Sequence, residues 1–131
     1  MTNQELSQLY YLNKEIAQQK KRLEELKAAS TNITPQITGM PHGTGTSDKV
    51  SRYAAEIADL QALIELNIQK CWYELNRLNR YIADCDDSLT RQILTLRYIN
   101  GLSWLQVAMS IGGDNTADSV RMIHNRYLSS H

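Results

Sequence analysis

Proline, cysteine and long apolar runs are scarce in this chain, and each shortage removes a class of protein. The only prolines are Pro35 and Pro41, both in one short stretch, so proline interrupts no helix elsewhere in the 131 residues. No apolar run approaches the roughly 18 residues that a membrane-spanning helix needs, and no membrane contact is expected. The start, MTNQELSQ, lacks the charged segment and apolar core of a secretory signal. A cytoplasmic address is the expectation. Cys71 and Cys85 are 14 positions apart. On one helix that separation is about 21 Å, well beyond the roughly 7 Å that an intramolecular disulfide tolerates. They read as free thiols of a reducing compartment, with a bridge between two chains as the alternative.

Net charge is missing too. Fourteen Lys and Arg balance fourteen Asp and Glu. From Asp86 onward Arg91, Arg97, Arg121 and Arg126 meet Asp86, Asp87, Asp114 and Asp118, which again cancels. Phosphate neutralisation supplies most non-specific affinity for nucleic acid. A single copy is therefore not expected to hold a duplex strongly without a second copy, or a partner already on the DNA.

Catalytic and metal-binding patterns are absent as well. The histidines are His42, His124 and His131, and no Cys/His spacing resembles a zinc site. There is no phosphate loop, serine elbow or H-E-x-x-H. No catalytic residue, metal or cofactor is expected, and the chain does not read as an enzyme.

What the sequence has is helix, and an all-α fold follows. Over residues 2–29, Leu9, Leu12, Ile16, Leu23 and Leu26 fall on a and d heptad positions, with Gln19 the one polar interruption. Such a narrow stripe is that of a coiled-coil seam. Lys20-Lys21-Arg22 lies beside it, either a solvated face or a nucleic-acid contact. Residues 30–47, STNITPQITGMPHGTGTS, have no usable period and read as a mobile loop. Asp48 is a candidate N-cap for a long helix reaching about Ala83. Its stripe is Val50, Tyr53, Ile57, Leu60, Ile64, Ile68, Cys71, Leu75, Leu78 and Ile82, always in steps of three or four. Such a helix spans roughly 50 Å. Trp72 and Tyr73 straddle the seam, and one of them is expected to be exposed. The first helix can fold back as an antiparallel partner but is too short to cover the whole stripe. The part near Ile68 to Leu78 is left for the C-terminal helices or for a second subunit, so a homodimer is expected. Residues 1–85 thus read as a helical hairpin arm, and 86–131 as a separate domain.

That domain carries the clearest signals. The acids of Asp84–Ser88 suit the start of a helix. Ile93, Leu94, Leu96 and Arg97-Tyr98 build a supporting helix that ends at Asn100-Gly101. Ser103 and Gln106 form an S-x-x-Q capping box, with Leu102 and Val107 placed as a hydrophobic staple. The helix they open, WLQVAMSI, stops at Gly112-Gly113, glycines suited to a left-handed helix end. Asn115 or Thr116 can cap a last helix over 116–128, in which Val120, Ile123 and Tyr127 share one face. Two short helices joined by a glycine-containing turn, with the small Ala108 at their crossing, form a helix-turn-helix pattern. Its second helix is the one that enters the DNA major groove.

With Val120, Ile123 and Tyr127 inward, the opposite face is Asp118, Arg121, Met122 and Asn125, flanked by Ser119 and Arg126. Arg121 and Asn125 are the expected base readers, since Arg pairs with guanine and Asn with adenine through two bonds each. Ser119 and Arg126 are candidate phosphate contacts, and Gln106 can reach the backbone from the preceding helix. Asp118 repels phosphate; it suits a cytosine amine or the helix cap. A solvated surface is the plain alternative for all of them. Trp104 is expected in the small trihelical core, and His124 reads as a packed or capping residue.

The residues Leu96-Arg97-Tyr98, Gly101-Leu102-Ser103, Val107-Ala108, Gly112, Val120 and Arg126 resemble region 4 of sigma-70-type transcription factors. Between Gly112 and Val120 this chain is about two residues longer than that pattern, which alters how the last helix meets DNA. The whole chain also resembles small phage and prophage proteins of Gram-positive bacteria, related to late transcription regulators of the ArpU and RinA type. The resemblance implies a phage-derived regulator in the cytoplasm of a bacterial host, binding double-stranded DNA and contacting RNA polymerase. The alternatives are an interaction protein that binds polymerase or a sigma factor through its helical arm, and a DNA-packaging component.

Overall fold

The computed structural model describes residues 1–33 and 45–130. Every regular element among them is helical, as the heptad and capping patterns require: α1 (Asn3–Leu6), α2 (Gln8–Ile33), α3 (Gly45–Ala83), α4 (Ser88–Leu94), a π-helical turn (Thr95–Ile99), α5 (Trp104–Ile111) and α6 (Ala117–Ser130). No helix among the described residues is long and apolar enough to cross a membrane.

Three expected boundaries differ. The first helix is broken after Leu6, where the Ser7 hydroxyl donates to the Asn3 carbonyl (2.9 Å) and α1 has its own N-cap, Thr2, accepting from Glu5 N (3.2 Å). Side-chain bonds of this kind compete with the helical ladder, and no heptad pattern registers them. The expected loop 30–47 is shortened at both ends, because α2 runs to Ile33 and α3 begins at Gly45. Thr31 continues α2 with its hydroxyl donating to Lys27 O (2.9 Å). The mobility expected of that loop falls on residues 34–44, outside the described residues. Asp48 lies inside α3 rather than capping it, because the helix already begins at Gly45.

Packing divides the chain into two compact units, residues 14–69 and residues 1–13 with 70–131. In the first of these, α2 and α3 lie antiparallel around Ile16, Leu26 and Ile64, which are buried. Asn67 is buried as well. Its amide donates to Gln19 Oε1 (3.0 Å) and Glu15 Oε1 (3.2 Å). Gln19, the interruption in the heptad stripe, is therefore half of a polar layer. A buried amide without partners is costly, so this layer specifies one register of the two helices.

The other unit has two apolar clusters. One gathers Leu6, Leu9, Leu78, Ile82, Leu94 and Tyr98, with Cys71, Leu75 and Tyr127 packed against it. The stripe of α3 that the sequence left for the C-terminal helices or a second subunit is thus covered from Cys71 to Ile82 within the chain, by its start and by the C-terminal helices. Arg77 ties the same elements together through Glu5 at 2.8 Å. The second cluster, Ile93, Val107, Ala108 and Val120, is the centre of the trihelical part. The change of helix at Cys85–Asp86 falls inside this unit. Trp72 and Tyr73 are both exposed, at 60% and 66%, where only one was expected. Their neighbour Cys71 takes the seam instead, packed against the first cluster.

Candidate nucleic-acid interface

The three C-terminal helices are opened by side-chain caps. Asp87 starts α4: its carboxylate accepts from Thr90 N (3.2 Å) and Thr90 Oγ1 (2.7 Å). These bonds hold its pKa below the usual carboxylate range. The helix then widens into the π-helical turn, which closes with Asn100 N donating to Thr95 O (3.1 Å) and Leu102 N to Leu96 O (3.1 Å). Gly101 follows with φ +72°, and a Cβ there would lie 3.5 Å from the Tyr10 ring. Ser103 and Gln106 make the full capping box: Gln106 N donates to Ser103 Oγ (3.3 Å), and Ser103 N to Gln106 Oε1 (2.9 Å). Leu102 and Val107 meet in the second cluster, as a hydrophobic staple requires.

At the far end of α5, Gly112 has φ +77° and ψ −160°. This is not the left-handed helical conformation expected there but an extended one with positive φ, which is almost confined to glycine. Asn115 Nδ2 donates to Gly112 O (2.9 Å) and fixes the turn. Thr116 is the residue that caps α6. It and Ser119 form a reciprocal pair, Ser119 N donating to Thr116 Oγ1 (3.1 Å) and Thr116 N to Ser119 Oγ (2.8 Å). The last helix accordingly runs over Ala117–Ser130, starting one residue later and ending two later than expected.

The inward face of α6 is centred between Val120 and His124, both essentially inaccessible. Ile123 and Tyr127 are half-buried beside them. His124 is part of the core. It meets the edge of Trp104 with ring centroids 4.8 Å apart, and its Nε2 is hydrogen-bonded to the Tyr98 hydroxyl. That hydroxyl also lies 2.5 Å from Asn3 Oδ1, so the network reaches α1. The other ring nitrogen, Nδ1, lies 2.9 Å from Asn125 Oδ1. Burial, with the nearby Arg97 charge adding to it, lowers the His124 pKa against the Asn125 bond. Burial pushes the Tyr98 phenol up to about 12. Trp104 packs in this core as expected, with the Arg97 guanidinium 4.5 Å above its ring. Arg97 also donates to Leu102 O (2.9 Å), so its charge is spent on structure.

With the buried arc centred between Val120 and His124, the outward face turns toward Met122. Met122 lies nearest its middle, flanked by Asp118 on one side and Arg126 on the other, with Asn125 and then Arg121 further round on the Asp118 side, and all five are exposed. Arg121 is ion-paired with Asp118 one turn back (3.0 Å). Ser119 is half-buried, its hydroxyl taken by the Thr116 cap. Gln106 is exposed, but its carbonyl serves the α5 cap, leaving its amide nitrogen for other contacts. The sequence therefore brought Asp118, Arg121, Met122, Asn125 and Arg126 to one surface, and assigned outward roles to two side chains, Ser119 and Gln106, that first complete helix starts. It missed the Tyr98–His124–Asn125 contact. Only the i, i+1 adjacency of His124 and Asn125 was available as a signal.

Two apolar side chains of α5 stand in solvent, Leu105 at 60% and Met109 at 73%. The Lys20-Lys21-Arg22 run belongs to the other unit. There Arg22 lines an open groove with Lys49, Arg52, Glu25 and Glu56, mixed in sign. Among the described residues no His, Cys, Asp or Glu cluster is arranged to hold a metal ion. No family model, curated protein or solved structure matches the chain.

Proposed function

We propose that this chain is a sequence-specific DNA-binding regulator of transcription that lays α6 in the major groove. The observation that carries this reading is the two-sided character of α6. One side is locked into a core by Val120 and His124, and the other presents Arg121, Met122, Asn125 and Arg126 on a rigid, capped helix. Arg and Asn are the side chains that read guanine and adenine, and a methionine can meet a thymine methyl. Arg126 neutralises phosphate at the edge. Because the net charge is zero, affinity needs support from a second copy or from RNA polymerase already on the promoter. The likeness to sigma region 4 favours polymerase, and the wider likeness favours a phage late-gene regulator.

The test is selection of bound duplexes from a random pool, followed by titration of the enriched site at low salt. Wild type is expected to enrich one motif, and Arg121→Ala to weaken binding and relax one base position. A wild-type chain that enriches no sequence and shifts no duplex removes the reading.

A second reading is an interaction protein that docks polymerase or a sigma factor. Exposed Leu105 and Met109 on α5 favour it, because solvated side chains of this size pack readily into a partner. A pull-down on polymerase in the absence of DNA separates the two.

A further inference from the structure

Four side chains from three separate parts of the sequence form one line of hydrogen bonds: Asn3, Tyr98, His124 and Asn125. The inner two are buried and the outer two are exposed. The last of them is a base reader under the function proposed above, on which this inference rests. We propose that Tyr98 and His124 are positioning residues that set the polarity of the Asn125 carboxamide, and with it the base that Asn125 selects.

The argument is a count of protons. A phenol carries one, and a neutral imidazole carries one on either nitrogen. Burial of His124 with no carboxylate bonded to it keeps the ring neutral at pH 7. Three bonds join the four groups, so the third proton comes from a carboxamide at one end, and all three bonds run the same way. The direction follows from pairing the best donor with the best acceptor. The Tyr98 hydroxyl donates to Nε2, and Nδ1–H donates to Asn125 Oδ1, the atom that faces it at 2.9 Å. The phenol cannot then also donate to Asn3 Oδ1, which faces it at 2.5 Å, so the Asn3 carboxamide is turned end for end and its amide nitrogen donates to the phenol oxygen.

The consequence lies at the surface. Oδ1 of Asn125 has two lone pairs, and His124 takes the inner one. The carboxamide cannot turn over without setting an N–H against an N–H. Its outward edge thus keeps one carbonyl lone pair and the amide protons in a fixed order. That order accepts from adenine N6 and donates to N7. A free asparagine would offer both orders and discriminate less.

Two measurements decide it. The first is the tautomer of His124, read from two-bond proton–nitrogen correlations of the full chain at pH 7.5. The proton is expected on Nδ1; a proton on Nε2 with Nδ1 bare overturns the proposal, whatever the variants do. The second is duplex selection with wild type, Asn125→Ala and Tyr98→Phe. Wild type is expected to prefer adenine at one position, and Asn125→Ala to lose that preference. In Tyr98→Phe the adenine preference at that position falls roughly fivefold or more, while the rest of the motif is unchanged. A structural role alone would lower melting temperature and affinity together and leave the base preference intact, and that result overturns the proposal. A wild type that enriches no motif sinks the DNA reading and this inference with it. A wild type with a motif that Tyr98→Phe reproduces sinks this inference alone.

Discussion

At the level of single residues, the face of α6 is restrained by its own charges. Arg121, the expected guanine reader, is held at 3.0 Å by Asp118, and both are well exposed. Such a pair contributes about 0.3–0.5 kcal/mol, so a guanine edge can displace it. The carboxylate meanwhile repels the phosphates. Asp118→Asn is therefore expected to tighten DNA binding by about two- to fivefold at low ionic strength, with the gain fading as salt screens the charge. Titrations at two salt concentrations check this. Arg121→Ala is expected to cost about 1–3 kcal/mol against the preferred site and little against random duplex. His124 makes a separate prediction about acid. Its pKa is depressed in the folded chain, chiefly by burial, so the unfolded chain binds the extra proton first. Its contribution to stability is complete above its unfolded pKa of about 6.5 and is lost as pH falls below that value. Melting temperature is expected to drop between pH 7.5 and pH 5.5, and in His124→Gln, if it folds, to change less over that interval.

Among the elements, the ones written in short contiguous codes were legible. Ser103 with Gln106, and the steps of three and four along α3, each state a local rule that the packing respects. Ser103→Ala is expected to cost about 1 kcal/mol, because the Gln106 N–H loses its acceptor at a helix start. Gly112→Ala is expected to cost about 1–3 kcal/mol although nothing crowds a Cβ there, since the backbone at φ +77° is the obstacle. Chemical denaturation measures both. The elements that escaped have non-local or side-chain causes. The break at Ser7 comes from a hydroxyl bonding its own backbone. The polar layer needs Asn67 to meet Glu15 and Gln19, some fifty residues away in sequence. The π-helical turn at Thr95–Ile99 leaves no mark on a 3.6-residue wheel. Likewise, the outward residues of α6 could be read from Val120, Ile123 and Tyr127, but the face shifted once His124 proved to be core. Histidine is ambiguous in a hydrophobicity pattern until its partners, here Tyr98 and Asn125, are known.

For the whole molecule, the change in composition at Cys85–Asp86 suggested a boundary that packing crosses. Leu94 and Tyr98 of the trihelical part share a core with Leu6 and Leu9 from the start of the chain and with Leu78 and Ile82 from the end of α3. Tyr127 of α6 packs edge-on against Tyr81 of α3, centroids 5.8 Å apart. The proposed recognition helix, α6, is thus held from both sides, by the second cluster and by a core that its own segment of sequence cannot supply. A fragment of 46 residues is also small for independent stability. Residues 86–131 alone are therefore expected to show no cooperative thermal transition and to bind the selected duplex far more weakly than the full chain. In the full chain, Leu6→Ala is expected to cost about 2–5 kcal/mol, the range for truncating a fully buried leucine, although it lies over eighty residues from the cap of α5. If that variant also loses DNA affinity at temperatures where it remains folded, the start of the chain is part of what aims α6. A fragment 86–131 that melts as sharply as the whole chain would show instead that the second cluster suffices.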